Sequence, residues 1–318
     1  MALSDLAVFG EQLYSTTTEV LTEQVELFNE ASRGAIVLAS RPFSGDYSDT
    51  AFFAKVSGLI RRRDPYATGA IAKKSLQHII DTMVKIGAGT AELDISKAQF
   101  RWIQQNPAIA AATFAQQLAK DQLQDMLRLA IGSTRAALAT QAEVVHDGTA
   151  GKITHRAMNA AVSKFGDYGN EIVVWVMHST PLYDLYDAGL ANGEALFSYG
   201  TVNIASDPFG RIFVVSDNAS LLTAGTPNTY HTLGLVPGAV TVNMNDDYDS
   251  NVDERNGDEN IVRSFQSEWS YNLGVKGFAW DKTNGGKAPQ DAAILTGTNW
   301  DRYATSHKDL PGVLLNTD

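Results

Sequence analysis

A histidine, a serine and an aspartate lie close together in the segment VVWVMHSTPLYDLYDAGL, residues 173–190. His178 and Ser179 directly follow an apolar run that is typical of a strand, and Asp184 comes soon after them. Residues of these types form the nucleophile, base and orienting acid of many hydrolases. However, the segment lacks the G-x-S-x-G turn that presents a nucleophilic serine, and neighbouring residues of a strand point to opposite faces. The sequence therefore favours a structural segment over an active site.

The acidic segment NDDYDSNVDERNGDE, residues 245–259, is the second candidate for chemistry. Asp247, Asp249 and Asn251 occupy the first, third and fifth positions of a calcium-binding loop, but the glycine and the final glutamate of that loop are both replaced. We therefore expect a solvated, mobile loop. The weaker alternatives are a divalent-ion site at these three residues and a divalent-dependent hydrolase that uses the Asp246–Glu259 carboxylates.

Other catalytic and cofactor motifs are incomplete. GAGTAE, residues 87–92, keeps only two glycines of a dinucleotide-binding fingerprint, and GGKA, residues 285–288, lacks the upstream glycine and the hydroxyl residue of a phosphate-binding loop. The 6 histidines are scattered and the chain has no cysteine, so neither a zinc site nor a thiol nucleophile is predicted. We expect no cofactor.

Charge and hydropathy exclude further classes of protein. The 318 residues carry 25 Lys and Arg against 36 Asp and Glu, a formal net charge of −11, so the surface as a whole repels polyphosphates and nucleic acid is not an expected direct ligand. The first basic residue is Arg33, which argues against a secretory signal, and no apolar run approaches the roughly 20 residues of a membrane span. These features predict a cytoplasmic origin and no membrane contact.

The N-terminal quarter of the sequence combines a helical arm with a β-rich stretch. Residues 1–33 predict one or two amphipathic helices, with Thr16 and Glu19 spaced as a capping box and Gly34 as the stop. Residues 34–75 predict short strands separated by turn-forming residues, with little core of their own.

A long helix dominates the middle of the sequence. Asn106 can cap it, Pro107 can occupy its first position, and no second proline interrupts the run to Gln141. Such a length is typical of scaffolds that span distance. The alternative is a bundle helix that breaks near Gly132 and Ser133.

Helices and strands are mixed in the remaining half, which indicates an α+β chain. We expect a short helix at 156–164, a strand at 171–177 and a helix that begins at Thr180. Two strands joined by a turn are expected in 201–217, and further strands continue through 229–244 and into late extended ribbons.

Three consecutive segments resemble the core of the major capsid proteins of tailed bacteriophages. A strand that ends in Met-His-Ser at 177–179 precedes a helix, and GRIFVVSD at 210–217 and TYHTLGLVPGAVTV at 229–242 follow in the order and spacing of that family. The helical arm, β-rich loop and long helix that come before them are similar to the layout of the Hong Kong 97 capsid fold. The resemblance at the level of motifs covers 171–242.

The resemblance implies an α+β chain with the Hong Kong 97-like capsid fold and five parts. These are an N-terminal helical arm at 1–33, an extended β-rich loop at 34–75, a peripheral domain with the spine helix at 76–141, an axial domain at 142–245, and an acidic loop with late strands at 246–318 that return to the peripheral domain. In this fold the extended loop lies over a neighbouring subunit.

The extended loop carries the candidate subunit-contact residues. Its strand-like runs hold apolar side chains with too little local sequence to cover them, so a neighbouring subunit is expected to do so. The apolar candidates are Phe52, Phe53, Val56, Leu59 and Ile60. The basic candidates are Arg61, Arg62 and Arg63, which we interpret as partners for carboxylates of the neighbouring subunit. Strand alternation would place the first and third on one face. A DNA contact and a solvated strand end are the alternatives.

We therefore predict a structural major capsid protein without enzymatic activity, which assembles into an icosahedral head around packaged double-stranded DNA. The expected partners are other copies of the chain in hexamers and pentamers, a separate scaffolding protein, a portal and a decoration protein. Assembly is expected in the host cytoplasm and the final location is the virion. The alternative within the same class is another self-assembling virion protein, such as a tail or decoration component.

Overall fold

The computed structural model describes most of the chain. The described residues are 2–43, 45–53, 60–66, 68–71, 73–75, 78–96, 99, 101, 103, 107–191, 210–255 and 261–318. Within them the helices are α1 (Ala2–Ala31), α2 (Pro107–Ala139), α3 (His155–Ser163), α4 (Ser179–Ala191) and α5 (Asp291–Ile294).

The strands fall into two sheets. In chain order they are β1 (Ile36–Ser40), β2 (Tyr47–Phe53), β3 (His78–Gly89), β4 (Leu93–Ile95), β5 (Val145–Gly148), β6 (Val174–Met177), β7 (Ile212–Val215), β8 (Leu222–Thr223), β9 (Thr229–Leu235), β10 (Val240–Met244), β11 (Asp249–Arg255), β12 (Val262–Val275), β13 (Phe278–Trp280), β14 (Trp300–Arg302) and β15 (Gly312–Thr317).

The N-terminal arm is one continuous helix, α1. Thr16 lies in its interior, so the predicted capping box is wrong: the apolar spacing that follows it continues a helix that has already begun. The predicted stop is confirmed at Gly34, where φ is +67° and the amide N–H donates to the Asn29 carbonyl at 3.0 Å. Glycine adopts this left-handed conformation without a Cβ clash, which lets the chain reverse into β1.

The long central helix α2 is unbroken, so the alternative with a break near Gly132 and Ser133 is wrong. The small residue at 132 has a packing role instead. A Cβ atom at Gly132 would lie 2.3 Å from Leu295 Cδ2 and 2.8 Å from Ser220 Oγ. The missing side chain therefore lets two other segments approach the helix closely. The predicted cap Asn106 lies outside the described residues.

The larger sheet is organised around the long strand β12. Antiparallel partners on its two sides are β10, β3, β4 and β11, and β1 joins the edge of β10 in parallel register, Ile36 opposite Val240. β13 and β14 extend the sheet from the end of β12. Among the described strands β2 pairs only with β3, from Tyr47 opposite Val84 to Phe53 opposite His78, and the two form a long hairpin at the edge of the sheet.

The second sheet has the order β5-β15-β9-β6-β7, with β8 also paired to β9. β15, the last strand in the chain, therefore lies between two strands that precede it, and it belongs to this sheet and not to the larger one. β6 and β7 run parallel, with Met177 opposite Val215. One continuous set of buried side chains connects the two sheets with α2 and α3.

Several local predictions agree with the structure in position. The helix expected at 156–164 is α3, and the helix expected at Thr180 begins one residue earlier. The strand expected at 171–177 is shorter, because 166–171 forms a 3-10 turn before β6. The first strand and the turn expected in 201–209 lie outside the described residues. None of the helices among the described residues is both long and apolar enough to cross a bilayer.

Candidate functional site

His178 and Ser179 lie where β6 ends and α4 begins. The Ser179 backbone N–H donates to Asp217 Oδ1 at 3.1 Å, and the Thr180 N–H lies 3.3 Å from His178 Nδ1. These bonds satisfy N–H groups that the first turn of a helix leaves unpaired. Hydrogen bonds from Ser179 hold the pKa of the Asp217 carboxyl below its ordinary value.

The geometry around His178 does not match a hydrolase triad. The Ser179 hydroxyl lies 3.5 Å from Nδ1, and Nε2 lies 3.6 Å from Asp217 Oδ1, so both contacts are longer than catalytic hydrogen bonds of about 2.6 to 3.2 Å. Asp184, the acid suggested by the sequence, instead pairs with Lys152 at 2.5 Å. The cluster caps a helix, as expected of a structural segment.

Sequence reasoning missed Asp217 as the partner of this segment. It lies two residues beyond the end of β7, which runs parallel to β6, so the ends of both strands meet at one edge of the sheet. An aspartate shortly after a strand is the available signal, but the pairing of β6 with β7 was needed to use it.

The acidic segment contains a strand, so the expectation of a mobile loop is wrong for residues 249–255. Residues 249–255 form β11, which pairs with β12 along its whole length. Asp249 and Asn251 project from the exposed face of this strand, opposite Glu268 and Gln266. Pairing with a long central strand overrides the low strand propensity of aspartate and asparagine. Residues 256–260 lie outside the described residues.

Asp247 is held apart from the other two calcium candidates. Its carboxylate accepts hydrogen bonds from the backbone N–H and the hydroxyl of Ser270 and lies 3.1 Å from Lys85 Nζ. Burial alone would raise the pKa of Asp247, but Ser270 and Lys85 more than offset it and hold the pKa below its ordinary value. Among the described residues, no group of three or more histidine and acidic side chains is placed to hold a metal ion.

The paired strands of the β2–β3 hairpin are attached to the body by polar and aromatic contacts. Asp81 is partly buried near Tyr303, and burial raises the pKa of its carboxyl to about 6, although a hydrogen bond with Tyr303 opposes the shift. The same environment raises the pKa of Tyr303 to about 12, chiefly through burial. The ring of Phe52 packs edge-on against Tyr303, with centroids 5.3 Å apart.

The described residues at the tip of the extended loop, between β2 and β3, are exposed to solvent. Ile60 is 97% exposed and Tyr66 is 92% exposed. Arg61, Arg62 and Arg63 are exposed and lie outside any strand, so the alternation expected from a strand is wrong for these residues. Val56 and Leu59 lie outside the described residues, and for Phe53 the structure describes only the backbone.

Comparison with protein families identifies the chain. Residues 5–314 match the sequence model of the Gp13-like family, whose description is Major capsid protein 13-like. The chain belongs to this major capsid protein family. It is therefore a structural protein of a capsid shell, and the hydrolase and the tail or decoration alternatives are not supported. No curated protein matches the sequence significantly.

Solved capsid structures share the fold of this capsid protein at low sequence identity. The capsid of cyanophage Pam1 matches with a TM-score of 0.52 and 12% identity, and the match covers 88% of each chain. The capsid of Ralstonia phage GP4 gives 0.51 and 11% identity over 90% of this chain and 87% of the other. The capsid of Helicobacter pylori bacteriophage KHP30 gives 0.52 and 9% identity over 91% and 88%.

These matches confirm the predicted mixed helix-and-sheet capsid fold and the resemblance to tailed-phage capsid proteins. Family membership implies that copies of the chain assemble with one another into a shell, and that the protein is located in the virion capsid.

Proposed function

We propose that copies of this capsid protein assemble as hexamers and pentamers into an icosahedral head that encloses double-stranded DNA. The net charge of −11 supports a container that repels its cargo and does not bind it. Assembly takes place in the host cytoplasm with a separate scaffolding protein, a portal and a decoration protein as partners. The resemblance to tailed-phage capsid proteins supports these partners.

The observation that carries the assembly proposal is the contrast between the paired strands of the β2–β3 hairpin and the tip that joins them. The paired strands are fixed to the body of the subunit, whereas Ile60 and Tyr66 expose nearly all of their surface in the tip. Removing apolar surface from water contributes about 25 cal/mol of stabilising free energy per Å². Covering this tip with a neighbouring subunit therefore stabilises the contact between subunits.

The three arginines add specificity to this contact. Arg61, Arg62 and Arg63 make no ion pair within the described part of the subunit, so their guanidinium groups can meet carboxylates of a neighbouring copy. A planar guanidinium can donate two parallel hydrogen bonds to one carboxylate, which fixes the orientation of the contact. Phe52, Phe53, Val56, Leu59 and Ile60 complete the proposed contact set.

We retain the five-part division as a proposal, with three refinements. The arm, the spine helix α2 and the axial region at 142–245 are kept, except that β10 at the end of that region pairs with β12 in the larger sheet. The projecting part of the loop begins after β1, since β1 pairs with β10 inside the larger sheet. The late strands are shared between the two parts of the body, because β15 pairs with β9 and β5.

Electron microscopy of the purified protein tests the proposal. Negatively stained samples are expected to contain closed shells. Replacing residues 54–77 with Asn-Gly removes the tip and closes the hairpin directly, because Phe53 and His78 are paired neighbours and Asn-Gly favours a two-residue turn.

This variant should fold with an unfolding temperature near that of the wild type and form no stable shells. Normal shells from the variant would show that the tip is not an assembly contact. If the wild-type chain alone forms only a small oligomer, the two proteins are compared after expression with the scaffolding protein, and a wild type that still forms no shells would contradict the proposal.

A further inference from the structure

Arg135, on α2, carries a partly buried positive charge with no acidic partner among the described residues. Its Nη2 group donates to His231 Nε2 at 2.9 Å and lies 3.4 Å from Thr223 Oγ1. Its Nε–H group is buried and makes no hydrogen bond within the described residues. Burial lowers the pKa of Arg135. Because arginine stays charged in proteins, burying the guanidinium without a counter-charge costs free energy.

His231 cannot supply the missing negative charge. Its Nδ1 lies 2.7 Å from the Asn316 side-chain oxygen, which can only accept, so Nδ1 carries the ring proton. Nε2 is then the acceptor for Arg135 and for the Thr223 hydroxyl, which lies 2.8 Å away. Burial lowers the pKa of His231, the Asn316 hydrogen bond opposes this, and the Arg135 charge lowers the pKa further. The ring is therefore neutral.

An open cavity of about 240 Å³ adjoins Arg135 between α2 and the 3-10 turn at Ala219–Leu221. The Ser220 and Thr223 side chains provide hydroxyl groups in its wall, and none of the described lining residues is acidic. Gly132 contributes no side chain on the helix side, where a Cβ atom would lie 2.8 Å from Ser220 Oγ. Since the Thr223 hydroxyl donates to His231, the cavity combines a cation, the Ser220 hydroxyl as a donor, and open space.

We propose that this cavity is a binding site for an oxyanion, either a carboxylate or a phosphate, held by Arg135 and the Ser220 hydroxyl. Guanidinium groups bind both anions through charge-assisted hydrogen bonds, which are stronger than neutral ones. In free subunits the oxyanion comes from solution. In the assembled shell a carboxylate of a second copy offers the same chemistry, and the chain has an excess of acidic residues to supply it.

The test uses inorganic phosphate and the purified, unassembled full-length chain, with ionic strength held constant by chloride. Phosphate should raise the unfolding temperature of the wild type saturably, because a ligand that binds only the folded state stabilises it. Arg135→Gln should lose this response, and Ser220→Ala should weaken the apparent affinity about threefold to tenfold. Arg156→Gln, which removes an exposed arginine on α3, is the matched control and should respond as the wild type does.

An equal phosphate response in the wild type and Arg135→Gln would overturn the proposal, as would the absence of a saturable response in the wild type. If Arg135→Gln does not fold, Arg135→Lys and Ser220→Ala carry the test, and unchanged affinity in both would overturn it. Assembled shells distinguish the source of the oxyanion. A response that disappears on assembly supports a carboxylate of a second copy, and a response that persists supports free phosphate.

Discussion

Lys282 Nζ lies 2.6 Å from Asp49 Oδ2, and this ion pair joins the turn after β13 to the β2 strand of the loop hairpin. Asp49 also accepts a hydrogen bond from Thr82 on β3 at 2.8 Å, so one carboxylate connects both hairpin strands to the body. The Lys282 hydrogen bond is the main reason that the pKa of Asp49 lies below its ordinary value. These contacts fix both strands of the hairpin to the body of the subunit.

Asp81→Asn should stabilise the subunit at neutral pH. Burial raises the folded-state pKa of Asp81 from 3.8 to about 6. Below about pH 4 the carboxyl is protonated in both the folded and the unfolded state and does not reduce the stability of the subunit. Stability is lost as pH rises through 6, because the buried carboxyl then has to ionise. The full shift corresponds to about 3 kcal/mol, and partial exposure reduces the expected gain at pH 7.5 to about 1 kcal/mol. Thermal unfolding of both proteins measures it. The difference should shrink at pH 4.5, and a constant difference between the two pH values would contradict the assigned cause.

Asp247→Asn should destabilise the subunit by about 1 kcal/mol, because the amide cannot pair with Lys85 and satisfies the Ser270 N–H less strongly. Asp249→Asn is the matched control. It removes an exposed charge directly opposite Glu268, so it should be neutral or slightly stabilising. Thermal unfolding with and without EDTA checks both variants. A chelator effect that Asp247→Asn abolishes would instead indicate an ion site.

Replacing Arg61, Arg62 and Arg63 together with glutamate should block shell assembly. The unfolding temperature of the subunit should stay within about 1 °C of the wild type, because surface charges without partners contribute little to stability. The triple lysine variant keeps the charge but not the planar fork, so it should assemble less efficiently than the wild type. Microscopy and sedimentation measure assembly. Normal shells of the glutamate variant that package less DNA would favour a DNA contact.

Gly132→Ala should destabilise the subunit in spite of the higher helix propensity of alanine. The propensity gain is about 1 kcal/mol, whereas forcing Leu295 and Ser220 away from the new Cβ atom costs about 1 to 3 kcal/mol. We expect a net loss of about 1 kcal/mol. Gly87→Ala on β3, where a Cβ atom meets nothing within 4 Å, is the control and should not destabilise the subunit. Denaturant unfolding compares the two. A Gly132→Ala variant that is about 1 kcal/mol more stable than the wild type would show that the neighbours adjust at no cost.

The sequence predicted the helices whose ends depend on neighbouring residues. Pro107 and the absence of a later proline predicted α2, and the left-handed conformation at Gly34 explains the predicted end of α1. The acidic β11 was not predictable in this way. Its carboxylates favour solvent, and only pairing with β12 makes it a strand.

The contacts of the candidate site were less predictable than the elements, because they join distant parts of the sequence. Asp217 caps the helix that begins at Ser179, and Arg135 meets His231 from another element. Neither pair has a spacing that periodicity can reveal. The exposed position of Arg61, Arg62 and Arg63 outside a strand was also missed, since an alternating apolar run resembles a strand even where no partner strand pairs with it.

The position of β15 affects when a subunit becomes competent to assemble. β15 lies between β5 and β9, so the second sheet keeps two unpaired strand edges until residues 312–317 have been synthesised. β1 likewise cannot pair with β10 until that strand has been synthesised, about 200 residues later. Pairing over such long sequence separations forms late in folding. A nascent chain on the ribosome therefore cannot present the finished subunit surface before residues 312–317 have emerged, and translation itself delays shell growth until that point.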